Sequence, residues 1–391
     1  MSKSVLMVFS ARLDDAARAA VAAGRWPRKD FFALADVLGG EVIDDATLDG
    51  RRAWRLLRRL LGAPSAKAWL AFRRRHRCAA IFTDGEHIGL PLALLLRLSR
   101  RPPRHVTIGH LLSTPSKRAV FRWLRPQGRL DLVLVHAAEQ ARVAVEELGL
   151  RPEQVRLVPY QVDPAFWAPD GRPPEDLVCS AGLEYRDYAT LLAAVAGLPV
   201  RVVIAAASYW SRHRRPAGDV ALPANVTVTA LDYVALRELY ARSRFVVVPL
   251  RPVDNQAGIT TVLEAMAMGK AVVVTATRGQ RDVVRGRLCT ASGPMGEPLG
   301  GPAAFGCTGP DAEAETGLYV PPGDPAALRA AICYLLDHPD EAVRMGAAGR
   351  RVVEQWMSLD HFVVRVVAAV RGREPEADLG RAGAARAASV L

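Results

Sequence analysis

The chain has 391 residues, half of them hydrophobic, and a formal net charge of +12 at pH 7. This length suits two domains rather than one, and the hydrophobic residues are enough for two buried cores. The five cysteines are odd in number and lack metal-ligand spacing, which argues against a disulfide framework and for a reducing compartment.

The chain also lacks the signals of an integral membrane protein. No window reaches about 18 uninterrupted apolar residues, so a membrane-spanning helix is not expected. Residues 1–9 have too short an apolar run for a secretory signal and favour a first strand. We therefore expect a cytoplasmic protein, with attachment to the inner face of the membrane left open because its surface is basic.

Short apolar runs alternate with helical stretches in the first part of the chain. They predict strands at residues 5–9, 79–83, 105–108 and 132–135. Such alternation is typical of an α/β domain with a parallel sheet. We assign this first domain to residues 1–163.

Arginine is concentrated in residues 51–77. In the first half of this segment an apolar stripe at helical spacing faces a basic stripe, formed respectively by Ala53, Leu56, Leu57, Leu60 and Leu61 and by Arg52, Arg55 and Arg59. One interpretation is a helix whose leucine face packs on the sheet. Another is a helix that lies on anionic lipid. A nucleic-acid partner is not expected, because no recognition motif accompanies the cluster.

A second series of strands is predicted at 200–205, 226–229, 245–248 and 271–275, beginning from residue 177. It defines a second α/β domain, residues 164–355. Residues 285–315 are rich in glycine and proline, which predicts a long irregular loop. This loop is either a lid or a mobile segment with no role in the reaction. Residues 373–391 contain few large apolar side chains and are expected to be disordered.

The run 257–268 is apolar or small on every side except for Glu264. A helix that is hydrophobic all round is buried, and a buried carboxylate needs a partner. A ligand that carries hydroxyl groups is the obvious candidate. The helix is flanked by the apolar runs 245–249 and 271–275, which predicts a βαβ unit. Its N-terminus, residues 255–258, would therefore offer backbone N–H groups to an anion.

The stretch 255–275 (NQAGITTVLEAMAMGKAVVVT), followed by 316–332 (TGLYVPPGDPAALRAAI), resembles the donor-binding half of retaining glycosyltransferases. The family is the large bacterial family 4, the glycosyl transferases group 1. The resemblance implies the GT-B fold, an α/β architecture of two Rossmann-like domains whose parallel sheets face each other across a cleft. Residues 346–356 resemble the family's terminal helix, which implies a C-terminal crossover helix at residues 356–372.

The same resemblance assigns a donor site. Glu264 would bind the ribose of a nucleotide sugar, and Gln256 stands where the family has a glutamate that contacts the transferred sugar. Arg186, after the Gly182 turn, would hold the diphosphate, although the family's later lysine is missing and Asp187 follows. The implied donor-binding residues are Gly182, Arg186, Asn255, Gln256, Ala257, Gly258, Ile259, Thr260 and Glu264. Arg186 could instead pair with Asp187 or Glu184, and Glu264 could be purely structural.

In the first domain the candidates follow predicted strands. His110 lies where the family often has a histidine that touches the donor sugar, and a buried structural histidine is the alternative. Asp84, Glu86 and His87 follow the strand at 79–83 and are candidates to orient or deprotonate an acceptor hydroxyl, unless they form a solvated turn. We predict catalytic roles for His110, Arg186 and Gln256.

The predicted function is transfer of a sugar from a nucleoside-diphosphate sugar to an unidentified small-molecule, lipid or saccharide acceptor, with retention. No metal and no organic cofactor are expected, since no Asp-x-Asp pair is present and cationic groups with a helix end can neutralise a diphosphate. A nucleotide-sugar epimerase of the same fold is one alternative. A non-catalytic nucleotide-sugar-binding or membrane-surface scaffold is another, suggested by Gln256.

Overall fold

The computed structural model describes residues 4–50, 52–206 and 222–373. They divide into two compact units. The first unit contains residues 4–20, Arg28–Pro159 and residues from Leu359 onward, and the second contains Val21–Pro27 and Tyr160–Ser358. The tail predicted to be disordered lies, from residue 374, outside the described residues.

The first unit is built on a parallel sheet of six strands in the order β2-β1-β3-β4-β5-β6 within the described residues. The strands are β1 Ser4–Val8, β2 Glu41–Ile43, β3 Cys78–Thr83, β4 Arg104–Gly109, β5 Leu132–Val135 and β6 Val155–Leu157. Four of them were predicted. The other two, β2 and β6, have three residues each and give no apolar run long enough to stand out.

Helices cover both faces of this sheet. They are α1 Asp15–Ala22, α2 Asp30–Leu38, α3 Asp45–Asp49, α4 Arg52–Arg74, α5 Glu86–Leu96, α6 Pro115–Leu124, α7 Ala138–Arg142 and α14 Leu359–Val370. Leu34 of α2 and Phe362 of α14 share one core with the strands. Leu70 of α4 and Leu92 of α5 share another. In the described residues no helix is both long and apolar enough to cross a membrane.

Helix α4 departs from the first interpretation of the arginine-rich segment. Its C-terminal half is buried, but Leu56, Leu60 and Leu61 are 57%, 72% and 51% exposed. The leucine face therefore does not pack on the sheet, and that interpretation is wrong for these three residues. The cause is a kink at Gly62, whose φ of 77° and ψ of 158° interrupt the helix. The kink redirects the N-terminal half of the helix relative to the half that packs.

The second unit has an eight-stranded sheet in the order β13-β12-β14-β11-β10-β7-β8-β9. The strands are β7 Leu177–Ala181, β8 Arg201–Ala205, β9 Val226–Thr229, β10 Val246–Val248, β11 Val272–Thr275, β12 Arg285–Thr290, β13 Gly293–Gly300 and β14 Gly317–Val320. Within the described residues the pairings are parallel except for β12 with β13.

The helices of the second unit are α8 Tyr188–Val195, α9 Tyr233–Arg242, α10 Ile259–Ala267, α11 Pro310–Glu313, α12 Pro325–Asp337 and α13 Pro339–Val352. Helix α10 joins the parallel neighbours β10 and β11, so the predicted βαβ unit is confirmed. Leu263 and Met266 of α10 are fully buried in the core.

Residues 285–315 do not form the long irregular loop that the sequence predicts. They contain the hairpin of β12 and β13, followed by short helical turns. Gly286 lets β12 lie close to β14, because a β-carbon there would stand 2.0 Å from the carbonyl oxygen of Gly317. Pro294 and Pro298 fall on β13, the edge strand, where a missing N–H is tolerated. The glycines and prolines thus have places in a hairpin.

Candidate active site

The loop between β7 and α8 turns at Gly182, which has a φ of 92°. Its carbonyl oxygen accepts a hydrogen bond from the Tyr188 hydroxyl at 2.5 Å. Asp187 caps α8 by accepting a hydrogen bond from the Thr190 amide at 3.2 Å. The carboxylate that follows Arg186 in sequence is therefore used to begin a helix.

Arg186 lies folded beneath this loop and is only 8% exposed. It donates from Nε to the Ala181 carbonyl at 2.8 Å, from Nη1 to the Glu184 carbonyl at 3.0 Å, and from Nη2 to Thr261 Oγ1 at 2.9 Å. Burial lowers the pKa of the guanidinium. These bonds use three of its five N–H groups, so the fork retains donor capacity for an anion.

The N-terminus of α10 lies against the same guanidinium. Gly258 caps this helix with a φ of 78°. A β-carbon at Gly258 would stand 2.9 Å from Val248 Cγ1 and 3.2 Å from Arg186 Nη1. A helix N-terminus carries partial positive charge on its unpaired N–H groups. The loop arginine and the helix end thus form one electropositive corner at the carboxyl ends of β7 and β10.

Gln256 precedes this helix and is 9% exposed, yet neither polar atom of its side chain has a partner among the described residues. Thr277 Oγ1 and Gln280 Oε1 share that condition, while Gln280 Nε2 donates to the Ala257 carbonyl at 2.6 Å. A buried polar atom without a hydrogen bond costs about 1–3 kcal/mol and calls for an explanation. A polar ligand at the loop would supply one.

Glu264 is 6% exposed on the second turn of α10. The Tyr240 hydroxyl from α9 donates to its Oε2 at 3.1 Å. Burial and the negative charge of Glu264 raise the pKa of Tyr240 well above its ordinary value, so the phenol remains a donor. The buried carboxylate is therefore paired inside the protein, as its surroundings require.

The structure places the remaining candidates around this corner. Asn255 and Ala257 flank Gln256 in the loop, and Ile259 and Thr260 open α10. Ile259 is buried, whereas Thr260 is exposed. All nine donor-site candidates thus belong to the β7–α8 loop or to α10 and the loop before it.

In the first unit Ser10 joins the predicted acceptor-side residues. Its hydroxyl donates to Asp84 Oδ1 at 2.9 Å and lies 2.7 Å from His87 Nε2, and its amide donates to Asp84 Oδ2 at 2.5 Å. Gly85 makes room for the imidazole, because a β-carbon there would stand 2.4 Å from His87 Cε1. The turn after β3 is therefore organised by a serine–aspartate–histidine cluster.

Burial dominates the ionisation of this cluster. It raises the pKa of Asp84, although hydrogen bonds from Ser10 oppose the shift. It also lowers the pKa of His87, against the attraction of Asp84 and Glu86. A neutral imidazole beside a serine hydroxyl can accept a proton, which suits it to orient a second hydroxyl group.

Glu86 holds His110 rather than facing outward. The His110 amide donates to Glu86 Oε2 at 2.9 Å, and its ring Nε2–H donates to the Asp84 carbonyl at 2.8 Å. Glu86 also forms an ion pair with Lys117. Burial is the largest single influence and pushes the pKa of Glu86 upward, but the charge and hydrogen bond of Lys117, together with smaller contributions from His110, outweigh it, so the net pKa is lowered. Glu86 is therefore ionised and positions His110.

Sequence reasoning did not single out Ser10, Lys117, Tyr240 or Thr261. Ser10 carried a usable signal, because it follows β1 closely and the carboxyl ends of parallel strands meet at one edge of a sheet. Tyr240 carried none, since it belongs to α9, distant in sequence from Glu264.

The comparisons with known proteins agree with the resemblance stated above. Residues 177–296 match the family model described as glycosyl transferases group 1. This segment contains both the Gly182–Arg186 turn and α10 with Glu264. No protein with a curated description matches the chain.

Solved structures match nearly the whole chain. Sucrose-phosphate synthase from Thermosynechococcus elongatus is 18% identical with a TM-score of 0.62, covering 94% of this chain and 98% of its own. HepE from Anabaena, in complex with UDP and glucose, is 13% identical with a TM-score of 0.60, covering 95% and 100%. A glycosyltransferase from Rickettsia africae is 14% identical with a TM-score of 0.62, covering 95% and 98%.

At these identities the structural matches establish the fold, two Rossmann-like α/β domains of the GT-B type. The family model covers a segment of the second unit alone. The chain therefore has the GT-B fold, and its residues 177–296 match the glycosyl transferases group 1 model.

Proposed function

We propose that the protein transfers a glycosyl group from a nucleoside-diphosphate sugar to an acceptor hydroxyl with retention of anomeric configuration. The observation that carries the proposal is the buried Gln256 amide, whose two polar atoms have no partner among the described residues. It precedes the N-terminus of α10, where an anion is favoured. A ligand that combines hydroxyl groups with a diphosphate would satisfy both features.

The contacts described above support a role for each of the main donor-site residues. Arg186 and the backbone N–H groups at Gly258 stabilise the negative charge that grows on the leaving diphosphate. Glu264 accepts hydrogen bonds from ribose hydroxyls, and Tyr240 holds that carboxylate in place. Gln256 donates to and accepts from hydroxyls of the transferred sugar. In this proposal, protein groups rather than a metal ion neutralise the negative charge of the diphosphate.

Two groups of residues in the first unit suit contacts with the donor sugar and with the acceptor hydroxyl. The His110 ring is assigned to the donor sugar, as in the family; its Nε2–H donates to the Asp84 carbonyl, and the main-chain amide of His110 donates to Glu86. Ser10, Asp84 and His87 are assigned to the acceptor hydroxyl. The bond from the anomeric carbon to phosphate breaks, the acceptor oxygen bonds to that carbon on the same face, and the acceptor proton leaves with the diphosphate.

The first test is thermal stability of the purified protein with UDP, GDP, ADP or dTDP. A nucleotide that binds the native state alone raises the melting temperature with its concentration. UDP is tried first because HepE was solved with it. Glu264→Gln should abolish the shift. Glu184→Gln is the matched control, because Glu184 contributes its main-chain carbonyl to Arg186 and its side chain is exposed.

Product analysis then separates the reaction classes. Proton NMR of a product formed from the α-linked sugar nucleotide should show an α linkage, whereas a β linkage would contradict retention. Conversion of the sugar nucleotide to an epimer without any acceptor would favour the epimerase. If none of the four nucleotides shifts the wild-type melting temperature, the donor assignment fails.

A further inference from the structure

The N-terminal half of α4, residues 52–61, exposes an apolar surface that the proposed reaction does not use. Leu56, Leu60 and Leu61 are 57%, 72% and 51% exposed. Trp54 and Leu57 of the same segment are half-buried against the core of the first unit. The segment is therefore held on the domain by one side while its leucines point away from the core.

The exposed side is also strongly cationic. Arg52, Arg55 and Arg59 are exposed, and the segment contains no acidic residue. Arg52, Leu56 and Leu60 follow one another at intervals of four residues, so they share a face of the helix. Arg58 instead pairs with Asp49 at 2.8 Å. Exposed leucine and arginine side chains thus lie on the same outward surface.

This segment lies at the carboxyl edge of the first sheet. It follows β2 and α3, and Asp49 at the end of α3 binds both Arg58 and Arg12, the latter just beyond β1. Further along α4, Lys67 Nζ donates to the carbonyl of Phe9 at 2.8 Å. Ser10 follows directly. The leucine–arginine surface and the serine–aspartate–histidine cluster therefore belong to the same edge of the sheet.

We propose that residues 52–61 bind the surface of an anionic lipid bilayer. The segment is about 15 Å long, so it lies in the interface rather than across the membrane. The leucines enter the boundary between headgroups and acyl chains, while the guanidinium forks of Arg52, Arg55 and Arg59 bind lipid phosphates. The basic charge of the chain as a whole, +12, favours the same surface.

Other occupants fit less well. A nucleic acid would neutralise the arginines but offer nothing apolar to three exposed leucines. A second copy of the chain would cover the leucines but bring two rows of arginine together, which is repulsive unless acids intervene. An anionic bilayer supplies both a negative charge and an apolar interior.

A second exposed patch provides a matched comparison. Leu98, Trp123 and Leu124 are 74%, 73% and 47% exposed, and Arg97 Nη1 donates to the Leu124 carbonyl at 2.8 Å. Arg122 lies over the Trp123 ring at 5.2 Å. These residues lie at the ends of α5 and α6 and in the segment after α5, so substitutions there test whether any exposed apolar and basic patch suffices.

The experiment is flotation of the full chain with vesicles of phosphatidylcholine, with or without phosphatidylglycerol. Wild type should bind the anionic vesicles selectively. Each arginine near an anionic surface contributes about 1 kcal/mol, so Arg52→Gln/Arg55→Gln/Arg59→Gln should weaken partitioning on the order of 100-fold. Leu56→Ser/Leu60→Ser/Leu61→Ser should also abolish binding, whereas Trp123→Ser/Leu124→Ser should retain it.

Three results would overturn the proposal: no binding of wild type to anionic vesicles, unchanged binding of both 52–61 variants, or loss confined to the Trp123 and Leu124 variant. Light scattering tests whether the surface instead binds a second copy of the chain. If wild type is a dimer and the leucine variant a monomer, the surface joins two copies. Each variant must keep its unfolding midpoint and any wild-type response to nucleotide, which makes the result independent of the donor-site proposal.

Discussion

Gly182 and Arg186 fit together so closely that a side chain at the first would collide with the second. A β-carbon on Gly182 would stand 2.5 Å from Arg186 Nη2. Gly258 approaches the other end of the fork, where a β-carbon would be 3.2 Å from Nη1. The guanidinium is thus bracketed by two glycines, and its position depends on both.

Gly182→Ala should therefore reduce both stability and nucleotide binding. Its φ of 92° alone costs a side chain about 1–3 kcal/mol, and the collision with Arg186 adds to this. Gly171→Ala is the control, because its φ is 78° and nothing lies within 4 Å of the added carbon. Urea unfolding should show the larger loss for Gly182→Ala, and titration with UDP should show weaker binding for that variant alone. Equal losses would mean that the contact with Arg186 is unimportant.

Gln256→Leu should separate stability from activity. The amide makes no hydrogen bond to the described residues, so the substitution breaks none. It also removes a cost of about 1–3 kcal/mol for burying polar atoms without hydrogen-bond partners. We expect the free energy of unfolding to stay level or rise, while kcat/KM for sugar transfer falls at least tenfold. Unfolding in urea and initial rates with the identified donor measure the two quantities.

Gln280→Leu serves as the contrast to Gln256→Leu. Gln280 Nε2 donates to the Ala257 carbonyl at 2.6 Å, so its loss leaves that carbonyl unpaired and should destabilise the protein by about 1–3 kcal/mol. If Gln256→Leu were the more destabilising of the two, Gln256 would have a structural role and its link to a ligand would fail.

Tyr240→Phe should destabilise the protein by about 1.5–3 kcal/mol near neutral pH, because a buried carboxylate loses a hydrogen bond. Because folding raises the pKa of Tyr240, the tyrosine contributes fully to the free energy of unfolding below about pH 10, the ordinary tyrosine pKa. This contribution is lost as the pH rises through the folded-state pKa. The wild-type advantage should therefore shrink in alkali. Urea unfolding at pH 8 and at pH 11 measures it, and a difference that grows with pH would contradict the pairing.

Much of this architecture follows from sequence because its strands are buried on both faces. Runs such as Val246–Val248 and Val272–Thr275 are continuous and apolar, which is typical of parallel sheets. The hairpin of β12 and β13 was missed because glycine and proline normally interrupt strands. Here an edge position accommodates the prolines, and a neighbouring strand requires Gly286. Such neighbours are invisible in the local sequence.

The two candidate regions differ in predictability for a similar reason. The donor candidates lie in two short segments, and the run around Glu264 carries its own signal of buried charge. In the first unit the hydrogen-bonded residues Ser10, Asp84 and His110 come from three separate strand ends. Lys117, which pairs with Glu86, comes from a fourth segment. Likewise, periodicity predicted the helix at residues 52–61 but not the kink at Gly62 that leaves its leucines exposed.

The ion pair of Glu86 with Lys117 gives a prediction with a definite dependence on pH. Breaking a buried pair costs about 3–5 kcal/mol, and Lys117→Met should cost less because a fifth of the lysine side chain, 20%, is exposed. The lowered pKa of Glu86 contributes stability above its ordinary value of 4.5, and this contribution is lost as pH falls through the folded-state value. The difference in unfolding free energy between wild type and Lys117→Met should therefore be largest at neutral pH and shrink below about pH 4.5.

Arg118→Met is the control, since its pair with Glu147 is 46% and 29% exposed and contributes at most about 1 kcal/mol. Urea unfolding at pH 7 and pH 4 measures both variants, and a pH-independent loss for Lys117→Met would show that Lys117 acts by packing alone.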